Sequence, residues 1–282
     1  MKEVLDMRDS NNRERPINSK EDMETLPRRR FARNLALLGV LVFTFWSFYY
    51  LNIPLSRFMR IFGPLGHKFS QLFLPPDLSY IQNVSMLRSI VETFQMGIFG
   101  TFVGLALCVP LAWFAALNMT PNRMIFYPLG RGVIIGARSI YELIWAMLFT
   151  MILGFGPLPG ALTCVLATVG FCGKLMAEEI EDIRLGPVEA IRATGAGEIK
   201  VFLWGIFPQV QTSWTGIAIY GWDSTFRMAT IMGYVGAGGI GMYLRETIET
   251  LAYEKTGMTL LIIIGLVVIS EVSSAYARQR VA

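Results

Sequence analysis

The chain has 282 residues, of which 53% are hydrophobic and only 16% charged, with a net charge of +4. A soluble domain carries about 25% charged residues, so much of this surface is built to face lipid rather than water. The basic residues are scattered between apolar stretches instead of gathered on one face, which argues against nucleic acid and fits the cationic loops of a membrane protein. The length suits one bundle of about six helices of roughly 20 residues each.

Residues 1–33 are polar and end in the run Arg28-Arg29-Arg30; too little apolar surface is present to fold, so a cytoplasmic tail is expected. From residue 34 to the C-terminus at 282 the sequence reads as one transmembrane domain. Its first span, 34–51, contains no charge. It follows a long charged tail and lacks a small-x-small cleavage site, which predicts an uncleaved anchor rather than a secretory signal. Residues 52–88 form a Pro-containing outer loop that includes His67, the single histidine of the chain. A second span is predicted over 90–117, with Pro110 removing one helical hydrogen bond, and a third over 133–153. A fourth, short span covers 161–172, a fifth 214–227 and a sixth 258–277. An even number places both termini on one side. Lys and Arg then divide roughly 17 inside to roughly 7 outside, which makes that side the cytoplasm.

Several kinds of chemistry find no support. Cys108, Cys164 and Cys172 sit in apolar segments without CxxC or Cys/His spacing, so they are expected to be buried thiols and no metal site is predicted. GAGGIG (236–241) fits G-x-G-x-x-G but has neither a preceding strand nor a downstream acid within a βαβ unit, so a nucleotide site is not expected there. Gly173-Lys174 is followed by Leu175 rather than Ser or Thr, and no phosphate-binding loop occurs. The chain is therefore expected to be no enzyme and to hold no cofactor. One histidine supports no catalytic triad.

Ionisable residues in or beside spans are few: Glu92, Arg138, Glu142, Asp223, Arg227 and Glu271. Each costs about 2.5–3.5 kcal/mol at a helix centre on insertion scales and needs a reason. Arg138 with Glu142, and Asp223 with Arg227, are spaced i,i+4 for mutual neutralisation. The functional alternative is that Arg138 or Arg227 faces a pathway and passes an anion, since the guanidinium fork gives two hydrogen bonds at once. Ser139, Thr101, Thr225 and Tyr141 are candidates for weak neutral contacts beside it.

The unusual segment is 173–211, a polar cytoplasmic excursion of nearly 40 residues. Within it Gly186 breaks the chain and Pro187 suits a first helical turn, where its missing N–H is no loss. Glu189 in that turn complements the helix dipole, and Gly195 and Gly197 end the helix. A second amphipathic segment runs from 199 to 207 and halts at Pro208. A helix this short is not stable alone and needs a partner surface, either its own bundle or another subunit.

These residues resemble a known family. Glu189-Ala190-Ile191, then Gly195, then Phe207-Pro208 is similar to the EAA signature of permease subunits in bacterial ABC importers. The spacing is met; Ile191 replaces Ala, Gly205 stands at the Ile position and Phe207 replaces Leu. The stretches 137–160, 186–196 and 229–241 look like the phosphonate-uptake branch, and the likeness covers roughly residues 85–280. The resemblance implies an all-α, polytopic importer-permease bundle of the methionine-importer type in the bacterial inner membrane. It implies a coupling helix, with Pro187, Glu189, Ala190, Arg192, Gly195 and Pro208 as its determinants, seated on a separate ATP-hydrolysing subunit. Two such ATPases, a second permease (the same or a different chain) and an extracytoplasmic solute-binding protein would complete the assembly. The implied solute is phosphonate, phosphite or hypophosphite. Gly236, Gly238 and Gly239 would then lie near the outer end of a pathway shared with Arg138, Ser139, Glu142, Asp223 and Arg227. Permeases of this type for methionine or phosphate, and a carrier driven by an ion gradient through Glu142 or Asp223, are the alternatives. The carrier predicts an internal two-fold repeat, and none is visible.

Overall fold

The computed structural model describes residues 20–51, 66 and 75–281. The polar residues 1–19, most of the outer loop and His67 lie outside them. The chain divides into two compact units, Met1–Lys68 and Phe69–Ala282.

In the first unit a single helix, α1 (Lys20–Tyr50), contains the first apolar run. It begins well before residue 34, so part of the polar stretch expected to be an unfolded tail is helical. Its apolar side chains are exposed on every side, Leu41, Phe45 and Tyr49 among them, as for a helix that meets lipid all round.

The second unit is built from helices alone among its described residues. Asp77 accepts from the Ser79 amide to open a short 3-10 turn, Leu78–Gln82, and Asn83 caps the long helix α2 (Val84–Ala115) by accepting from the Ser85 amide. Next come α3 (Phe126–Ser139), α4 (Glu142–Leu153) and α5 (Pro157–Glu181). The short helices α6 (Leu185–Ala193) and α7 (Glu198–Val201) lead through a π-helical turn, Phe202–Ile206, into α8 (Phe207–Met232). A 3-10 turn (Gly233–Val235), α9 (Gly241–Glu249) and α10 (Tyr253–Val281) complete it.

The centre is the contact of α2 with α5, the most extensive in the unit; α8 packs across both and α10 lies on α8. Gly100 and Gly104 make it possible. A Cβ on Gly100 would stand 2.2 Å from Cys164 Cβ, and one on Gly104 would stand 2.5 Å from Thr168 Cβ. This is close small-residue packing between two helices in lipid, where van der Waals contact replaces the hydrophobic drive. Thr93, Thr150, Thr163 and Thr168 donate to carbonyls four residues earlier, and the Thr168 and Thr225 hydroxyls pair at 3.0 Å between α5 and α8. These buried hydroxyls are thus satisfied without water. Cys108, Cys164 and Cys172 are buried, unbridged thiols in these helices.

Among the described residues, three helices are individually long and apolar enough to cross a bilayer: Val84–Ala115, Pro157–Glu181 and Tyr253–Arg280. Phe126–Ser139 and Glu142–Leu153 qualify together, but with a bend of 91° between them, so the span expected over 133–153 is a broken one. Among the described residues the number is three, or four with that pair. The expected fifth span lies within α8, whose 26 residues reach about 39 Å but whose polar content keeps it below the same apolar limit. The fourth span is twice as long as expected. It starts at Pro157 and continues through Gly173 to Glu181, absorbing nine residues of the stretch read as a polar loop. Three of its four charges are paired, Lys174 with Glu178 at 3.4 Å and Glu181 with Arg131 at 3.0 Å, which lets the helix continue.

Candidate functional site

One end of the bundle carries the segment singled out by its sequence. Helix α6 opens at Leu185, one residue before Gly186, with Pro187 still among the first-turn residues whose amides have no helical partner. Glu189 is the fifth residue, so no acid occupies the first turn and the expected dipole role falls away. Thr194 caps the helix and Gly195 follows at φ +77°, the left-handed conformation that glycine adopts without cost. Gly197 does not end α6; it precedes α7, and Arg192 reaches over the turn to Glu198 at 2.9 Å. Pro208 does not halt the second segment either. The chain stays helical from Glu198 to Met232, and the π turn at Phe202–Ile206 widens the coil just before the proline. A proline ring in a regular α-helix would clash with the carbonyl four residues back; the wider turn relieves this.

One face of α6 is held firmly. Val188 is fully buried, with Ile191 beside it, in a cluster that includes Val201, Phe202, Ile206 and Val210. Gly205 explains the closeness of that contact: a Cβ there would lie 3.3 Å from the Val188 Cα and 3.4 Å from the Ile191 Cδ1. The departure from the signature at this position is therefore what lets α6 sit down on the π turn. Gln209 fastens the junction. Its amide nitrogen donates to the carbonyls of Gly205 (2.7 Å) and Arg184 (3.2 Å), while its oxygen accepts from the Arg184 amide (3.1 Å). The opposite face, with Leu185, Glu189, Ala190, Arg192 and Ala193, is exposed. Nothing in the local sequence singled out Gln209, because two of its three bonds go to the backbone of Arg184, 25 residues away.

The pathway candidates do not converge on one place. Arg138 and Glu142 are not a pair: α3 ends at Ser139 and α4 begins at Glu142, so the i,i+4 geometry is lost at the break. Arg138 and Ser139 line a cavity of about 380 Å³ with Arg131, Ile134, Ile135 and Lys174. Glu142 and Tyr141 line another of about 260 Å³, whose far wall carries Ser224 and Arg227 from α8. The expected Asp223–Arg227 pair is present at 2.6 Å. Asp223 is buried and its second oxygen, Oδ1, has no partner. Thr101 is buried with an unpartnered hydroxyl, Glu92 pairs with Arg88 at 3.3 Å, and Glu271 lies on the exposed face of α10.

The glycine segment is a packed junction. Gly236, Gly238 and Gly239 all have positive φ and are buried. Gly236 faces Phe155, Gly238 faces Pro157 and Gly239 faces Thr93, each too close to admit a Cβ. The Thr93 hydroxyl also accepts from the Ile240 amide at 2.9 Å, tying the loop to α2. Gly236 borders a third cavity of about 470 Å³ shared with Ser89, Tyr243, Arg245 and Glu246. Beside α9, burial raises the Tyr80 phenol above its ordinary range, with Glu246 and Tyr243 adding to the effect.

A bundle of apolar helices with a broken span, paired charges in its interior and a short helix anchored at one end fits a membrane transport component. The chain belongs to the family described as binding-protein-dependent transport system inner membrane components, whose pattern matches residues 97–282. It is 37% identical over 206 residues to the phosphite transport system permease protein PtxC of Stutzerimonas stutzeri, an alignment covering 73% of this chain and 74% of that one. It is 34% identical over 255 residues to the phosphate-import permease protein PhnE of Mycolicibacterium smegmatis, covering 90% of this chain but 47% of the relative. Among solved structures, the fold resembles an inward-facing form of the MetNI methionine ABC transporter. That match has a TM-score of 0.57 and 20% identity, covering 70% of this chain and 96% of that one.

Proposed function

We propose that this chain is the membrane permease of an ATP-driven importer that carries phosphite, phosphonate or a related phosphorus oxyanion across the bacterial inner membrane. The observation that carries the reading is α6: one face locked to the bundle through Val188, Ile191 and Gln209, the other exposed and built from small and charged residues. A helix so held can receive a push at its free face and deliver it to α8. The names of the PtxC and PhnE relatives support the solute class. The likeness to the methionine transporter, at 20% identity, supports the fold alone.

In this reading ATP is bound and hydrolysed by two partner subunits, each taking the exposed face of α6 from a permease pair. An extracytoplasmic protein delivers the solute at the opposite end, and both termini of the permease lie in the cytoplasm. The coupling determinants are Pro187, Glu189, Ala190, Arg192, Gly195 and Pro208, joined now by Gln209 and Gly205. Arg138 with Ser139, and Arg227 with Asp223 and Glu142, supply polar contacts along the route. Gly236, Gly238 and Gly239 shape its outer end.

The test is affinity purification from the native membrane, followed by reconstitution and uptake of phosphite, methylphosphonate, phosphate and methionine with ATP inside. Recovery of an ATPase subunit and saturable uptake of a phosphorus oxyanion are expected. Glu189→Lys and Gly195→Asp should each abolish uptake and leave the permease in the membrane. A chain that purifies alone under conditions preserving such complexes would sink the reading, and uptake of methionine alone would replace its solute.

A further inference from the structure

The cavity of Arg131, Arg138, Ser139 and Lys174 has chemistry that the coupling machinery does not use. Four of these positions follow one face of α3: Arg131, Ile134, Arg138 and Ser139 at i, i+3, i+7 and i+8. Lys174 comes from α5. Two glycines on α5 bring the walls together. A Cβ on Gly170 would lie 3.1 Å from the Arg138 nitrogen, and one on Gly173 would lie 3.4 Å from Ile134.

The three cations stand at successive depths. Arg131 meets Glu181, the last residue of α5. Lys174 is seven residues earlier, about 10 Å further along the helix, and Gly170, which fixes the level of Arg138, is about 16 Å from that end. Arg138 therefore sits near mid-bilayer for a hydrocarbon core of about 30 Å.

The charges do not balance. Arg131 is paired with Glu181 and Lys174 with Glu178, but Arg138 takes part in no ion pair or side-chain hydrogen bond among the described residues. An unpaired guanidinium at that depth needs an anion or water. Ile134 and Ile135 provide apolar walls, which strengthen any attraction across the cavity. The Ser139 hydroxyl donates to the Gly136 carbonyl at 3.0 Å, so it presents lone pairs and can accept from a P–OH group. A volume of about 380 Å³ holds a tetrahedral oxyanion with several waters, each taking about 30 Å³.

We propose that this cavity is a binding site for a tetrahedral phosphorus oxyanion, entered from the inner end of the bundle and reaching Arg138 at its deep end. Arg138 holds the charge that no described residue of the chain neutralises; Lys174 and Arg131 offer further steps, each with a glutamate ready to take the cation back when the anion leaves. Binding is weak by construction, as a route requires. The same chemistry fits the phosphate group of an anionic lipid, which would enter at Arg131. The depth of Arg138 favours the free anion, and that choice of source rests on the importer reading above.

The test uses the assembled transporter carrying Ser139→Cys, since the three native thiols are buried. Labelling of the introduced thiol by a charged methanethiosulfonate is followed in dodecyl maltoside, which contains no phosphate, with sodium phosphite against sodium chloride at equal ionic strength. It is repeated in phosphatidylglycerol nanodiscs. Slower labelling with millimolar phosphite in detergent establishes the site with the free anion as occupant. Protection in the nanodiscs alone establishes it with lipid as occupant. Adding Arg138→Gln should weaken protection about tenfold, the loss of one charge-assisted contact, while Arg138→Lys should retain most of it. Protection by neither source, or protection that survives Arg138→Gln with Lys174→Gln, overturns the proposal. ATP hydrolysis stimulated by the binding protein is measured on the same complex. Stimulation without protection defeats the site and leaves the importer reading; protection without stimulation does the reverse.

Discussion

Replacing Gln209 by leucine isolates the junction between α6 and α8. The substitution keeps a side chain of similar length and removes three hydrogen bonds, to the Gly205 carbonyl and to both backbone groups of Arg184. Each is worth about 0.5–1.5 kcal/mol net, so three would total about 3 kcal/mol. Two of the three lie at the exposed start of α6, where water can replace them, so about 2 kcal/mol is the better figure. Val188 and Ile191 continue to hold the helix, so it stays folded but detaches about 30-fold more often. Hydrogen exchange of residues 185–195 in the assembled transporter should accelerate by that order. Uptake per ATP should fall with it, because a loosely seated helix absorbs motion that a fixed one passes on. Exchange within about twofold of wild type, with unchanged uptake per ATP, would refute the role given to Gln209, since that is below about 0.5 kcal/mol.

Gly100→Ala should destabilise the bundle by about 1–3 kcal/mol through overpacking against Cys164. Gly136→Ala, with open space around it, should raise the melting temperature slightly; a fluorescence melt of the solubilised protein compares the two. Thr93→Val removes the acceptor of the Ile240 amide and should cost about 1–3 kcal/mol, read as faster exchange of the amides of residues 236–241. Asp223→Asn leaves Arg227 without its ion pair; uptake should fall with little change in binding-protein-stimulated ATP hydrolysis, and equal loss of both would place Asp223 in the coupling instead. Gly205→Ile, which restores the signature residue, should lift α6 from the π turn and reduce uptake, because the Val188 backbone is already at 3.3 Å from a Cβ.

The spans at 90–117 and 258–277 were legible because each is a long apolar run interrupted by a single acid, Glu92 or Glu271, and the structure extends both by a turn or two at their N-terminal ends. The EAA-like stretch was equally plain, since Pro187 and Gly195 are local signals for a helix start and stop. What escaped notice was decided by distant partners. Residues 173–181 look like a loop until Glu181 is seen to neutralise Arg131, 50 residues away. The break at Ile140–Tyr141 carries neither Gly nor Pro, and so Arg138 and Glu142 read as neighbours on one helix. Gly100 and Gly104 form a small-xxx-small pair that the sequence did display, but only the position of α5 shows which helix it serves.

The unbroken run from Glu198 to Met232 has a mechanical side. With α6 resting on its inner end, α8 is a strut about 39 Å long whose far end abuts the glycine junction. Tilting such a strut by about 10° about its inner end would carry the far end through about 7 Å, on the order of one helical turn. The π turn and Pro208 lie at the near end, where the helix is most compliant, and the left-handed glycines lie at the other, where the chain must give way. A modest rotation at the α6 end would thus become a large displacement at the glycine junction. Stiffening either end, rather than the rod between them, would be the surest way to stop it.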